Sequence, residues 1–167
     1  MKKTCMGNSD AFAEVIREHQ GLLYKVSAIY TNNEQDREDL FQEIVYQLWK
    51  YFDSFRNESK ISTWMYRVAM NTAITHLKKS KRIPKSEPIK ESLVSMAEGT
   101  DDLFQERVRL LHRQIEKMNS LEKGIMLLLL EGKSYQEIGE ITGLNTSNVG
   151  TRISRIKEKL RKNMVKT

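Results

Sequence analysis

Apolar residues return at three- and four-residue steps through most of this chain, and that period limits what it can fold into far more than its composition does. In residues 9–30, Phe12, Val15, Ile16, His19, Leu22, Leu23, Val26 and Ile29 form one such stripe. In residues 34–52, Leu40, Phe41, Ile44, Val45, Leu48 and Phe52 form another. The spacing predicts amphipathic helices, each burying a single face. Ser9 or Asp10 suits the N-cap of the first. The second opens on Glu34, Asp36, Glu38 and Asp39, negative charge at the positive end of a helix dipole. A third helix is expected from Ser62 or Thr63 to about Lys79, burying Trp64, Met65, Val68, Ala69, Thr72, Ala73 and Leu77. Three such helices with short connections can share a core, so residues 1–80 read as one helical domain.

The period fades over residues 80–99, where both prolines, Pro84 and Pro88, stand among Lys, Ser and Glu. Residues 81–100 are therefore expected to be a flexible linker, with room for a short helix at 92–97. The pattern then resumes with Leu103, Phe104, Val108, Leu111, Ile115 and Met118, followed by Ser120 as a candidate N-cap and Gly132 as a candidate stop. Residues 101–167 form the second expected domain, and the fold class is all-α: two small helical domains, the C-terminal one a helix-turn-helix.

That last element is the strongest local signal. The segment SYQEIGEITG at 134–143 is a short amphipathic helix expected to turn Tyr135, Ile138 and Ile141 inward, with Gly139 leaving room for a neighbouring helix. Gly143 permits the left-handed backbone of a tight turn. Leu144 plugs the core, and Asn145 caps a helix that buries Val149, Ile153, Ile156 and Leu160. Its opposite side offers Ser147, Asn148, Thr151, Arg152 and Arg155. Small polar groups and arginines near the start of such a helix suit base edges, and cations suit phosphates. Charge points the same way. Of a net +6 for the 167 residues, the last 34 hold seven Lys and Arg against three acids, so the excess cation sits around this helix.

Other chemistries find little support. The longest apolar run, residues 125–130, is far short of the ~20 needed to cross a bilayer, and the opening MKKTCMGNSD has no apolar stretch behind its lysines. A soluble, cytoplasmic protein is expected. Cys5 is the only cysteine, and His19, His76 and His112 are scattered, which predicts no metal site, no cofactor and no catalytic centre. Asp39 and Glu43 stand four apart on one helix face and could meet a metal, as in a small helical hydrolase, but no second ligand cluster accompanies them.

A helix-turn-helix alone also fits a stand-alone transcriptional regulator, and the N-terminal domain discriminates between the two. DREDLFQEIVYQLW at 36–49, the polar loop FDSFRNESK at 52–60 and STWMYRVAMNTA at 62–73 together closely resemble the promoter-melting domain of extracytoplasmic-function sigma factors. LEKGIMLLLLEGKSYQEIGEITGLNTSNVGTRISRIKEKLR at 121–161 resembles the helix-turn-helix domain of the same family. The resemblance covers nearly the whole chain and implies a subunit that directs core RNA polymerase to promoter DNA. It implies that Asp39, Gln42, Glu43 and Tyr46 dock on polymerase, an acidic, amide-bearing face suited to a basic partner. It also implies that Asn57, Lys60, Ser62, Thr63, Trp64, Arg67 and Asn71 hold the melted minus-ten strand around a flipped base, and that the helix at 145–160 reads the minus-thirty-five duplex. An anti-sigma factor is the further partner the family implies. One departure is Gly150, where the family commonly carries a basic or bulky residue, so no base contact is carried over to that position.

Overall fold

A computed structural model describes residues 5–81 and 102–165, and among them seven helices and no strand. The chain divides into two compact units, Met1–Pro88 and Ile89–Thr167. Residues 82–100 of the expected linker, with the short helix at 92–97, lie outside the described residues.

The N-terminal unit holds α1 (Cys5–Tyr30), α2 (Glu34–Phe52) and α3 (Ile61–Ser80), each packed against both others. Leu23 and Val26 from α1, Leu40, Ile44 and Leu48 from α2, and Met65, Ala69 and Ala73 from α3 are wholly buried, which is the three- and four-residue stripe of each helix turned to one centre. Two buried hydroxyls are satisfied by carbonyls of α1: Ser27 donates to that of Leu23 at 2.9 Å, and Thr31, just past the helix end, to that of Ser27 at 2.7 Å. The break between α1 and α2 is fixed by Asn33, whose side chain accepts from the Asp36 amide at 2.7 Å. The N-cap expected at Ser9 or Asp10 is not one, because α1 already runs from Cys5 and both residues lie inside it.

Burial pushes the Tyr30 phenol well above its ordinary value. The folded state therefore holds this proton more tightly than the unfolded chain does. The stability this contributes is fully present below the unfolded pKa of about 10 and is lost as pH rises beyond it. Thermal melts above pH 10 are expected to show a falling midpoint for the N-terminal unit, and Tyr30→Phe should flatten that dependence.

The C-terminal unit holds α4 (Asp102–Glu116), α5 (Ser120–Leu130), α6 (Tyr135–Thr142) and α7 (Thr146–Val165). Ile125, Leu128, Ile138 and Val149 are wholly buried at its centre. Asn119, one residue before the expected Ser120, caps α5 in a reciprocal box with Glu122. Gly132 does end α5: at φ 73° it lets the Lys133 amide reach back to the Leu128 carbonyl and its own amide to that of Leu129. Ser134 then starts α6 in a second box with Glu137.

Three residues expected inward are not. Leu103 and Phe104, at the start of α4, are 64% and 57% exposed, and Tyr135 is 41% exposed. The stripe of α4 meets the unit only toward the helix end, where buried Gln114 accepts from Asn163 of α7 at 2.9 Å. Tyr135 is the first residue of α6, where a side chain can leave the helix sideways instead of packing beneath it.

Candidate nucleic-acid interface

In the C-terminal unit the helix-turn-helix is built around two glycines with different tasks. A methyl group at Gly139 would stand 2.5 Å from the Leu144 carbonyl oxygen, so the turn can cross α6 closely only because nothing is there. Gly143, at φ 78°, reverses the chain and donates its amide to the Gly139 carbonyl at 2.8 Å. Asn145 then caps α7, its side chain accepting from the Asn148 amide at 2.8 Å.

Val149, Ile153 and Ile156 anchor one side of α7 in the core, which commits the other side to solvent. Ser147, Asn148, Thr151, Arg152 and Arg155 are all exposed there, as their spacing required. The Thr151 hydroxyl donates to the Ser147 carbonyl at 3.1 Å and keeps its oxygen available as an acceptor. The cations of this helix differ in what holds them. Lys162 pairs with Glu158 at 2.9 Å and keeps that carboxyl below its usual range, and Lys159 reaches Glu122 of α5 at 3.7 Å. Arg152 and Arg155, on the exposed polar row, have no ion partner among the described residues, and neither do Lys157 and Arg161 farther along the helix.

In the N-terminal unit, residues 53–60 connect α2 to α3. Asn57 takes φ 56°, a left-handed conformation that Asn tolerates better than most residues and that sequence periodicity does not reveal. Aromatic packing ties this loop down. Phe12 stands edge-on to Trp49 and to Phe52, each at 5.1 Å, and Trp64 lies 5.1 Å from Phe55 and 6.5 Å from Phe52. Asn8 of α1 also donates to the Asp53 carboxylate. These braces from α1 were missed; the stripe position of Phe12 was their only sequence signal.

Of the residues assigned to the minus-ten strand, Asn57, Lys60, Arg67 and Asn71 are exposed, and Ser62 and Trp64 are half-buried. Trp64, Arg67 and Asn71 follow three- and four-residue steps and share one side of α3. Thr63 is different. Only 3% of it is exposed, because it is the first α3 residue on the buried stripe, so its side chain belongs to the core and is withdrawn from the strand-facing set.

Asp39, Gln42, Glu43 and Tyr46 form one exposed row on α2, opposite Leu40, Ile44 and Leu48. The row borders two grooves. On the α1 side, Phe12, Ile16, Phe41, Val45 and Trp49 join Gln42 and Tyr46 around about 760 Å3 of largely apolar space. On the α3 side, Glu43, Gln47 and Tyr51 face Asn71, Thr75 and Lys79 across about 570 Å3. Glu43 and Asn71, which were assigned to different partners, therefore line a single groove. Among the described residues no group of His, Cys, Asp and Glu could hold a metal ion, and no helix is long and apolar enough to cross a membrane.

Comparison with known proteins matches residues 15–83 to the family described as Sigma-70 region 2 and residues 109–160 to Sigma-70, region 4. The ECF RNA polymerase sigma-E factor of Haemophilus influenzae is 30% identical over 175 residues, covering 95% of this chain and 89% of that protein. The chain belongs to the extracytoplasmic-function sigma factors. Two Bacillus subtilis sigma factors are similar to the same extent: SigV at 29% identity, covering 90% of this chain and 89% of its own length, and SigW at 28%, covering 98% and 94%. Among solved structures, this sigma factor shares its fold with the sigma factor RpoE of Bartonella quintana, determined with the anti-sigma factor NepR. That match has a TM-score of 0.71 at 18% identity and covers 92% of this chain and 96% of that one. CnrH, determined with the cytosolic domain of CnrY, matches with a TM-score of 0.68 at 18% identity, over 95% and 90%. The two matched regions fall one in each compact unit, α1 to α3 in the first and α4 to α7 in the second.

Proposed function

We propose that this sigma factor binds core RNA polymerase in the cytoplasm and directs it to promoters by a division of labour between its units. Residues 1–80 dock on polymerase and open DNA, residues 81–100 link the units, and residues 101–167 hold the promoter as duplex. The α2 row of Asp39, Gln42, Glu43 and Tyr46 meets the polymerase, with the apolar groove beside Tyr46 adding buried contact. Ser147, Asn148, Thr151, Arg152 and Arg155 read the minus-thirty-five duplex. Asn57, Lys60, Ser62, Arg67 and Asn71 hold the melted minus-ten strand, with the free edge of Trp64 as an apolar wall for a flipped base. Polymerase carries out nucleotidyl transfer, and this chain contributes no catalytic group. An anti-sigma factor is a fitting regulator, since the sigma factor RpoE was solved with the anti-sigma factor NepR.

The observation that carries this reading is the capped α7, whose apolar side is locked in the core while Arg152 and Arg155 stand without ion partners on the other side. Arginines so placed neutralise phosphates or grip guanine edges, and binding that depends on them weakens steeply with salt.

Transcription in vitro with purified core polymerase and a randomised promoter library tests the reading, run with and without this protein. Specific initiation is expected only with it. Arg152→Ala should weaken duplex binding roughly ten-fold or more at fixed salt. Asn71→Ala should leave duplex binding intact and slow open-complex formation, read by permanganate reactivity of unpaired thymines. Absence of specific initiation across the library sinks the proposal, and binding to a palindromic duplex without polymerase favours a stand-alone regulator.

A further inference from the structure

Along α7, Arg152, Arg155, Lys159 and Lys162 follow one another at steps of three, four and three residues, and all four are exposed. That spacing sets them in one row on one flank of the helix, with Lys157 and Arg161 outside it. The row divides at its middle. Arg152 and Arg155 have no carboxylate partner among the described residues, whereas Lys159 reaches Glu122 of α5 at 3.7 Å and Lys162 reaches Glu158 at 2.9 Å.

The two carboxylates are held differently. Glu158 precedes Lys162 by one turn of the same helix, and the two side chains are 54% and 66% exposed. A pair of that kind is worth little and yields readily to a phosphate. Glu122 is fixed from elsewhere. Its side chain is only 21% exposed, and the oxygen that faces Lys159 also accepts the Asn119 amide at 3.1 Å in the capping box of α5. The positive end of that helix favours a carboxylate there. Glu122 therefore keeps its place whether or not Lys159 stays, and offers the ammonium a standing alternative to DNA.

We propose that Glu122 is a positioning residue for duplex binding: by holding Lys159 on α5, it confines the phosphate contacts of this row to its arginine half. The inference rests on the reading of α7 given under Proposed function. Lys159 lies about 10 Å along the helix from Arg152, at 1.5 Å per residue, so the two could bear on one stretch of DNA backbone. An unbroken row of four cations would bind phosphates strongly and without regard to sequence, because such contacts carry affinity but no base information. Withholding Lys159 lowers the affinity for bulk DNA and leaves more of the recognition to the exposed polar groups and arginines at the start of α7. The positive charge counted in the last 34 residues thus overstates what the duplex meets.

The test measures binding of the full-length chain to a fluorescein-labelled duplex of random sequence, by anisotropy across roughly 50–200 mM salt. Each phosphate neutralised contributes about 0.9 to the slope of log K against log salt. Arg155→Gln should flatten the slope by about that amount. Lys159→Gln, which removes an equal charge one turn along, should leave it unchanged. Glu122→Gln keeps an oxygen for the Asn119 amide and releases the ammonium. Its slope should steepen by about 0.9, and its affinity at the low-salt end should rise roughly two- to five-fold. Combining Glu122→Gln with Lys159→Gln should restore the original slope. A merely structural role for Glu122 would lower affinity without adding a contact. If Lys159→Gln flattens the slope as Arg155→Gln does, or if Glu122→Gln fails to steepen it, the inference fails while the duplex role of α7 stands. If Arg152→Gln and Arg155→Gln both leave the slope unchanged, α7 does not engage the duplex and the two readings fail together.

Discussion

Gly139→Ala is expected to destabilise the C-terminal unit by about 1–3 kcal/mol, the range for forcing a methyl group into a packed position. The gain of roughly 1 kcal/mol in helix propensity does not offset a methyl group 2.5 Å from the Leu144 carbonyl oxygen. That oxygen belongs to the turn backbone and cannot rotate aside as a flexible side chain would. Relief requires α7 to move away from α6, which disturbs the setting of Arg152 and Arg155 and should weaken the duplex binding proposed for them along with stability. The measurement has a built-in control. Both tryptophans of the chain, Trp49 and Trp64, lie in the N-terminal unit, so their fluorescence reports that unit alone while far-ultraviolet circular dichroism reports both. In denaturant the dichroism transition should split or move to lower concentration, with the fluorescence transition unmoved. A coincident shift in both signals, or none in either, contradicts the role given to Gly139.

Leu48→Ala should produce the opposite pattern and a larger loss. Leu48 is wholly buried on α2, the helix that meets both α1 and α3. Truncating a buried leucine costs about 2–5 kcal/mol, a transfer term plus whatever cavity remains. Against the roughly 3–5 kcal/mol that a core of this size can supply, such a loss leaves the unit marginal at best. The tryptophan fluorescence transition should move far to lower denaturant or vanish into the baseline, while much of the dichroism change persists. A loss below about 1 kcal/mol would mean that α2 is not the centre of its unit.

The helices themselves were legible because the chain alternates strong periodicity with strong punctuation. The α2 stripe of Leu40, Ile44 and Leu48 and the order of short helix, glycine turn and Asn145 cap over 134–145 left little freedom, and both are seen to within a residue or two. The errors share a physical cause. A periodic stripe says which face of a helix is apolar but not how far along its length a neighbour covers that face, so Leu103 and Phe104 were expected inside and are exposed. Caps compete with adjacent candidates of similar chemistry, so Asn119 was taken by its neighbour Ser120 and α1 begins before Ser9. Thr63 was assigned to the strand by resemblance, yet its place on the α3 stripe already pointed inward. The exposed rows on α2 and α7 were legible because a buried stripe dictates its opposite. The bracing of the 53–60 loop by Phe12 and Asn8 was not, because contacts between residues some 40 positions apart leave no local mark.

The packing of α1, α2 and α3 on one another also has a consequence for synthesis. Everything the N-terminal core needs lies within Met1–Pro88, ahead of any part of the helix-turn-helix. Domains fold as units during translation, at roughly 5–20 residues per second, so this one can be complete seconds before α7 leaves the ribosome. The nascent chain would then expose the α2 row proposed to meet polymerase before the proposed duplex-reading helix exists. Capture by a regulator at that stage would keep the newly made chain from ever acting at a promoter on its own.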